Sequence, residues 1–97
     1  MTRTWHSMTM QGKRIQYVMA YLYMVEDYVT LQEIHKYVQE HDTYVLEESE
    51  ISSILSSLIL QRYVLVSRPS PELSKYGLSI EGEFFLLTVL KPHMSEY

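Results

Sequence analysis

Five serines crowd one short stretch, Ser49, Ser52, Ser53, Ser56 and Ser57, and the apolar residues Ile51, Ile54, Leu55 and Leu58 alternate with them. At 100° per residue the two sets fall on opposite sides of a helix running from Glu47 to Arg62. Serine is a mediocre helix former, so four or five on one exposed side call for a reason. Small hydroxyls let a helix sit deep in a DNA major groove and bond phosphates or base edges. The same face also serves as a bland solvated surface, or as a close-packing face against another protein. Glu48 and Glu50 belong to the first turn, where the helix dipole favours carboxylates whatever the function.

Basic charge gathers just downstream. Arg62, Arg68 and Lys75 against Glu72 leave Gln61 to Leu78 with a net charge of +2, whereas Asp42 to Leu60 carries −4 and no base. Lys13, Arg14 and Lys36 are further cations able to touch phosphate. The chain as a whole has net charge −4, which excludes a protein whose entire surface attracts nucleic acid but allows a local basic patch.

Other chemistry finds little support. His35 and His41 are six apart, not the i, i+4 pair of a helical metal site, and His6 and His93 stand alone. There is no glycine-rich phosphate loop and no nucleophile elbow. With no cysteine, neither a disulfide nor a thiolate site can form, and a cytoplasmic home fits best. An enzyme is not expected, and no cofactor is implied. The longest apolar runs are far below the roughly 20 residues that span a bilayer, and the first ten residues lack a signal-peptide core.

The elements that must position these residues follow from periodicity in 97 residues, 46% of them hydrophobic. That length suits one domain, residues 11–91, between an N-terminal arm (1–10) and a tail (92–97). Ile15, Val18, Met19, Leu22 and Val25 form one stripe of a first helix, Gln11 to Val25. Thr30 and Glu33 form a capping box that starts a second helix, with Leu31, Ile34 and Val38 inward, ending near Glu40 to Asp42. The serine helix comes third. Tyr63 to Arg68 then reads as a strand stopped by Pro69, Pro69 to Ser74 as a loop, and Lys75 to Leu78 as a returning strand. Ser79 caps a final helix, Ile80 to Leu90, stopped by Pro92.

Phe84, Phe85, Leu86, Leu87, Val89 and Leu90 make that last helix apolar nearly all round, a surplus for one small core. The same helix of a second subunit would cover it, giving a two-fold homodimer through Phe84, Leu87 and Leu90, with Trp5, Met8 and Met10 as further contacts. A fully internal helix is the other reading. The nine tyrosines read as half-buried packing residues, because no base-stacking strand motif surrounds them.

The order helix, helix, helix, hairpin, helix is that of a winged helix-turn-helix, mainly α with a small β-hairpin. Ser49-Glu50-Ile51-Ser52-Ser53-Ile54-Leu55-Ser56-Ser57-Leu58, then Tyr63-Val64-Leu65-Val66-Ser67-Arg68-Pro69 and Lys75-Tyr76-Gly77-Leu78-Ser79-Ile80-Glu81-Gly82, resemble the recognition helix, wing and last-helix start of MarR-like and PadR-like regulators. The likeness covers Gln11 to Leu90 and extends to small winged-helix proteins of archaeal viruses, through Ala20-Tyr21-Leu22-Tyr23. It implies a homodimeric double-stranded-DNA-binding transcription regulator in the cytoplasm, the host's if viral. A winged helix devoted to protein interaction, and a small-molecule sensor at a dimer interface, stay open beside it. Two departures stand out. Arg62 occupies a place where those regulators usually carry glycine, so the helix ending uses an ordinary residue where left-handed geometry would normally favour glycine. The third helix is also acidic, where groove-reading helices use Arg, Lys, Asn or Gln.

Overall fold

The computed structural model describes residues 10–90. The stripe of alternating apolar positions closes into a helix, α1, Met10–Val25, whose Val18, Met19 and Leu22 are fully buried. Val25 shares the stripe but is 36% exposed, because the helix ends there and Glu26 turns the chain away with φ 59°. The second helix, α2, spans Leu31–Glu40 and begins as its capping box requires: the Thr30 hydroxyl accepts from the Glu33 amide at 3.2 Å, and the Glu33 carboxylate accepts from the Thr30 amide at 2.8 Å. Ile34 and Val38 point inward from it. The third helix, α3, runs Glu48–Leu60 and buries Ile51, Ile54, Leu55 and Leu58. Its ends lie one and two residues inside the span read from the periodicity.

The joint between α2 and α3 is tied down by side chains. Gln39 donates to the Tyr44 carbonyl and accepts from the Leu46 amide, both at 2.7 Å, and His35 donates to the Leu46 carbonyl at 2.7 Å. Leu46 is thereby drawn into the core, 3% exposed. Buried backbone groups need partners, and here two polar side chains of α2 supply them.

A hairpin follows, with strands at Val64–Ser70 and Leu73–Leu78. Proline does not end the first of them. Pro69 lies inside the strand at an irregularity between Ser67 and Ser70, where the missing N–H costs no regular ladder bond. The loop shrinks to Pro71 and Glu72, and Ser70 pairs with Leu73. Periodicity also missed a two-residue strand, Val29–Thr30, too short to carry a pattern of its own. Numbered along the chain, Val29–Thr30 is β1 and the hairpin strands are β2 and β3. They form an antiparallel sheet in the order β1-β3-β2.

The last helix, α4, Ile80–Phe85, starts at Ser79, whose hydroxyl accepts from the Gly82 amide at 2.9 Å, and continues as a π-helical segment, Leu86–Leu90. The Thr88 hydroxyl donates to the Phe84 carbonyl at 2.7 Å across this change of pitch. Leu86 and Leu90 enter the core beside Val64 and the α1 side chains. Gly82 must be glycine, since a Cβ there would overlap the Tyr63 carbonyl oxygen. Tyr63 and Phe85 stack at 4.6 Å with 14° between their planes, fastening α4 to the hairpin's base.

Candidate nucleic-acid interface

The outward face of α3 is polar and uncharged beyond its first turn. Ser49, Ser53, Ser56 and Ser57 are exposed, Ser52 is half-buried at the shoulder, and Leu60, 84% exposed, closes the face. One of the hydroxyls is engaged: Gln61 reaches back to Ser57, donating to its Oγ at 3.3 Å and its carbonyl at 3.4 Å. The acidic first turn carries the Glu47 amide donating to the Glu50 carboxylate at 3.0 Å.

The wing's cations are placed by strand register. Lys75 pairs with Ser67 on one side and Thr30 on the other, so the three share one face of the sheet. It is half-buried, whereas Arg68, one residue past Ser67, is exposed. Arg62 is exposed at the corner between α3 and β2, with φ 68°. Its amide donates to the Ile59 carbonyl and the Tyr63 amide to the Leu58 carbonyl, both at 2.9 Å, the paired bonds of a Schellman ending. An ordinary residue thus takes the left-handed geometry that favours glycine at such an ending.

The remaining cations divide. Lys13 is exposed on the first turn of α1. Arg14 is withdrawn from the expected phosphate contacts, because its Nε donates to Asp42 Oδ2 at 2.7 Å and both side chains are about nine-tenths buried. That bond, aided by the Tyr44 and Thr43 amides, holds the Asp42 carboxyl below the usual range, against a burial effect of opposite sign. Lys36 is exposed but faces a groove beside Tyr21 and Tyr37, between Glu33 and Glu40 of its own helix. Two acids within one turn compete for its charge.

The aromatic and histidine clusters are structural. Tyr21 stacks on Tyr37 at 4.8 Å, and burial pushes both phenols above their ordinary pKa. His41 packs against Tyr17 and Tyr37 and donates to the Tyr37 carbonyl at 2.9 Å. Tyr23 and Tyr44, read as half-buried, are 36% and 58% exposed. Among the described residues no group of three histidines, cysteines or carboxylates could hold a metal ion.

The expected dimer residues also divide. Phe84 is 69% exposed and Ile80 85%, and with Tyr63, Phe85, Thr88 and Val89 they line a cleft of about 490 Å³. Leu87 is half-buried. Leu90 is 4% exposed within its own protomer and is corrected to a core residue: it lies four residues after buried Leu86, on the same inward face of the helix, and its carbonyl accepts from the Gln16 side-chain amide at 3.5 Å. Trp5 and Met8 lie outside the described residues.

Three solved structures share this architecture. A proposed transcriptional regulator of Thermoplasma acidophilum superposes with a TM-score of 0.72 at 18% identity, over 98% of this chain and 90% of that one. RosR of H. salinarum gives 0.73 at 16%, over 97% and 81%. A transcriptional regulator of Clostridium thermocellum gives 0.69 at 18%, over 84% and 81%. The fold is a winged helix-turn-helix. Neither a protein-family model nor a curated protein matches the sequence. In this winged helix α2 and α3 form the helix-turn-helix, the β2–β3 hairpin is the wing, and α4 flanks α1 and the wing's base. None of its helices, among the described residues, is long and apolar enough to cross a membrane.

Sequence reasoning missed Gln61 and Ser79. Ser79 was seen as a cap, but not as a residue gripping the α3–β2 corner; only its position in the Tyr76 to Gly82 motif hinted at it.

Proposed function

We propose that this winged helix binds double-stranded DNA as a homodimeric transcription regulator, in line with MarR-like and PadR-like proteins. In this reading the Ser49, Ser52, Ser53, Ser56 and Ser57 face of α3 enters the major groove, and Arg62, Arg68, Lys75 and Lys13 contact the backbone. Phe84 and Leu87 meet their counterparts in a second subunit. The observation that carries it is the outward face of α3, with exposed hydroxyls at Ser49, Ser53, Ser56 and Ser57, together with exposed arginines at the corner after it and on the wing, on a fold whose solved examples include transcriptional regulators.

The test is selection from a random duplex library at two salt concentrations. An enriched palindrome with half-sites about one helical turn apart supports a dimeric sequence reader. No retention at low salt, where non-specific electrostatic binding is strongest, removes the proposal. A second reading, a protein-interaction module, is favoured by the acids at Glu47, Glu48 and Glu50 and by Val45 and Leu60, 88% and 84% exposed. That reading predicts capture of a protein partner and no duplex.

A further inference from the structure

The corner after α3 combines three observations. Arg62 holds a left-handed backbone that glycine would adopt freely. Two consecutive carbonyls of that corner are gripped by one residue of α4's start: the Ser79 hydroxyl donates to the Arg62 carbonyl at 2.6 Å, and the Ser79 amide to the Tyr63 carbonyl at 3.0 Å. The same hydroxyl accepts from the Gly82 amide at 2.9 Å, and Gly82 approaches Tyr63 so closely that no side chain fits. The backbone is thus over-determined from behind by the helix that carries the exposed Ile80 and Phe84, while the arginine side chain is exposed in front.

A strained ordinary residue persists only where its surroundings enforce it, and such residues cluster where strain serves a function. We propose that Arg62 is a DNA-phosphate contact presented by this strained corner, and that Ser79 is its positioning residue, coupling α4 to the junction of recognition helix and wing. This rests on the DNA-binding reading above. Arginine suits the role because its fork of donors matches phosphate geometry and never loses its charge. The coupling also gives α4 a route to the DNA face: a shift of α4 moves Ser79, and Ser79 moves the carbonyls on either side of the corner peptide.

The experiment compares the parent protein with Arg62→Gly, Ser79→Ala, the double variant and Ser79→Thr, with Val18→Ala, a core truncation on α1, as a stability control. Duplex affinity is measured by fluorescence anisotropy across salt, and thermal unfolding alongside. Arg62→Gly should raise the melting temperature while weakening binding several-fold and lowering the salt slope by about one unit. Ser79→Ala should weaken binding in the parent but add nothing in the Arg62→Gly background, and Ser79→Thr should restore it. Val18→Ala should lower stability and leave the slope alone.

Arg62→Gly that is more stable and binds as tightly as the parent overturns the role of the corner. Equal losses from Ser79→Ala in both backgrounds reduce Ser79 to a structural cap. If the parent itself retains no duplex at low salt, the DNA reading falls, and the corner's role with it.

Discussion

Arg14 and Asp42, 28 residues apart in sequence, form a side-chain ion pair at 2.7 Å that fastens the first turns of α1 to the exit of α2. The Asp42 carboxylate also accepts from the Tyr44 amide at 2.9 Å, so one group secures a helix, a loop and the approach to α3. A cation that could have faced phosphate is instead part of the scaffold.

Arg14→Ala should therefore destabilise the fold, by about 1–3 kcal/mol at pH 7, the cost of stranding a largely buried charged acceptor. Asp42 titrates below its unfolded value, so the pair's contribution is full above about pH 4 and is lost as pH falls through the lowered folded value. Denaturant unfolding of both proteins at pH 7 and at successively lower pH should show the gap narrowing only below about pH 4. A gap that stays constant down to pH 2 contradicts the assignment.

Gly82→Ala should cost about 3 kcal/mol, the upper end for overpacking, because the new methyl meets a backbone carbonyl held by Ser79 and cannot be relieved by a rotamer change. Urea midpoints for this variant and for Ala20→Gly, a change on α1, would separate steric clash from general helix loss. An alanine tolerated at full stability would show that α4 can lift from Tyr63.

Phe84→Glu should leave the protomer folded, since Phe84 is 69% exposed, and should shift any dimer to monomer in sedimentation velocity. Leu90→Ala should behave in the opposite way, destabilising the protomer by about 2–5 kcal/mol as a core truncation does. If Phe84→Glu sediments like the parent, the dimer proposal must move to another surface.

Arg68→Ala should weaken duplex binding uniformly across sequences and reduce the salt slope by about one unit, as loss of a phosphate contact does. Ser53→Ala or Ser56→Ala should instead change which sequences are preferred, a good base contact being worth about 1–3 kcal/mol. An unchanged slope would take Arg68 off the interface; a uniform loss would make the serines positioning groups only.

The fold was legible because its long elements bury one face each. Ile51, Ile54, Leu55 and Leu58 announce α3, and Thr30 with Glu33 marks the start of α2 to the residue. Elements whose existence depends on a partner were not legible. Val29–Thr30 becomes a strand only because Tyr76 and Lys75 lie alongside, and the change to a π-helical pitch at Leu86 has no counterpart in the pattern of apolar residues. The candidate site divides on the same line. Exposure of the serines follows from helical phase, whereas the loss of Arg14 to Asp42 and the hold of Ser79 on Arg62 join residues whose meeting no local pattern encodes.

Pro69 bears on how many copies of this protein can live in one solution. The outer side of β2 is an open border of the sheet, the kind of border onto which a stray strand from another molecule can zip. Near the tip β2 has no N–H at Pro69 and its pairing with β3 is irregular between Ser67 and Ser70, a break in the flat strand a newcomer would need, with the exposed charge of Arg68 beside it. A wing can thus project far enough to reach a ligand without becoming a seed for fibres.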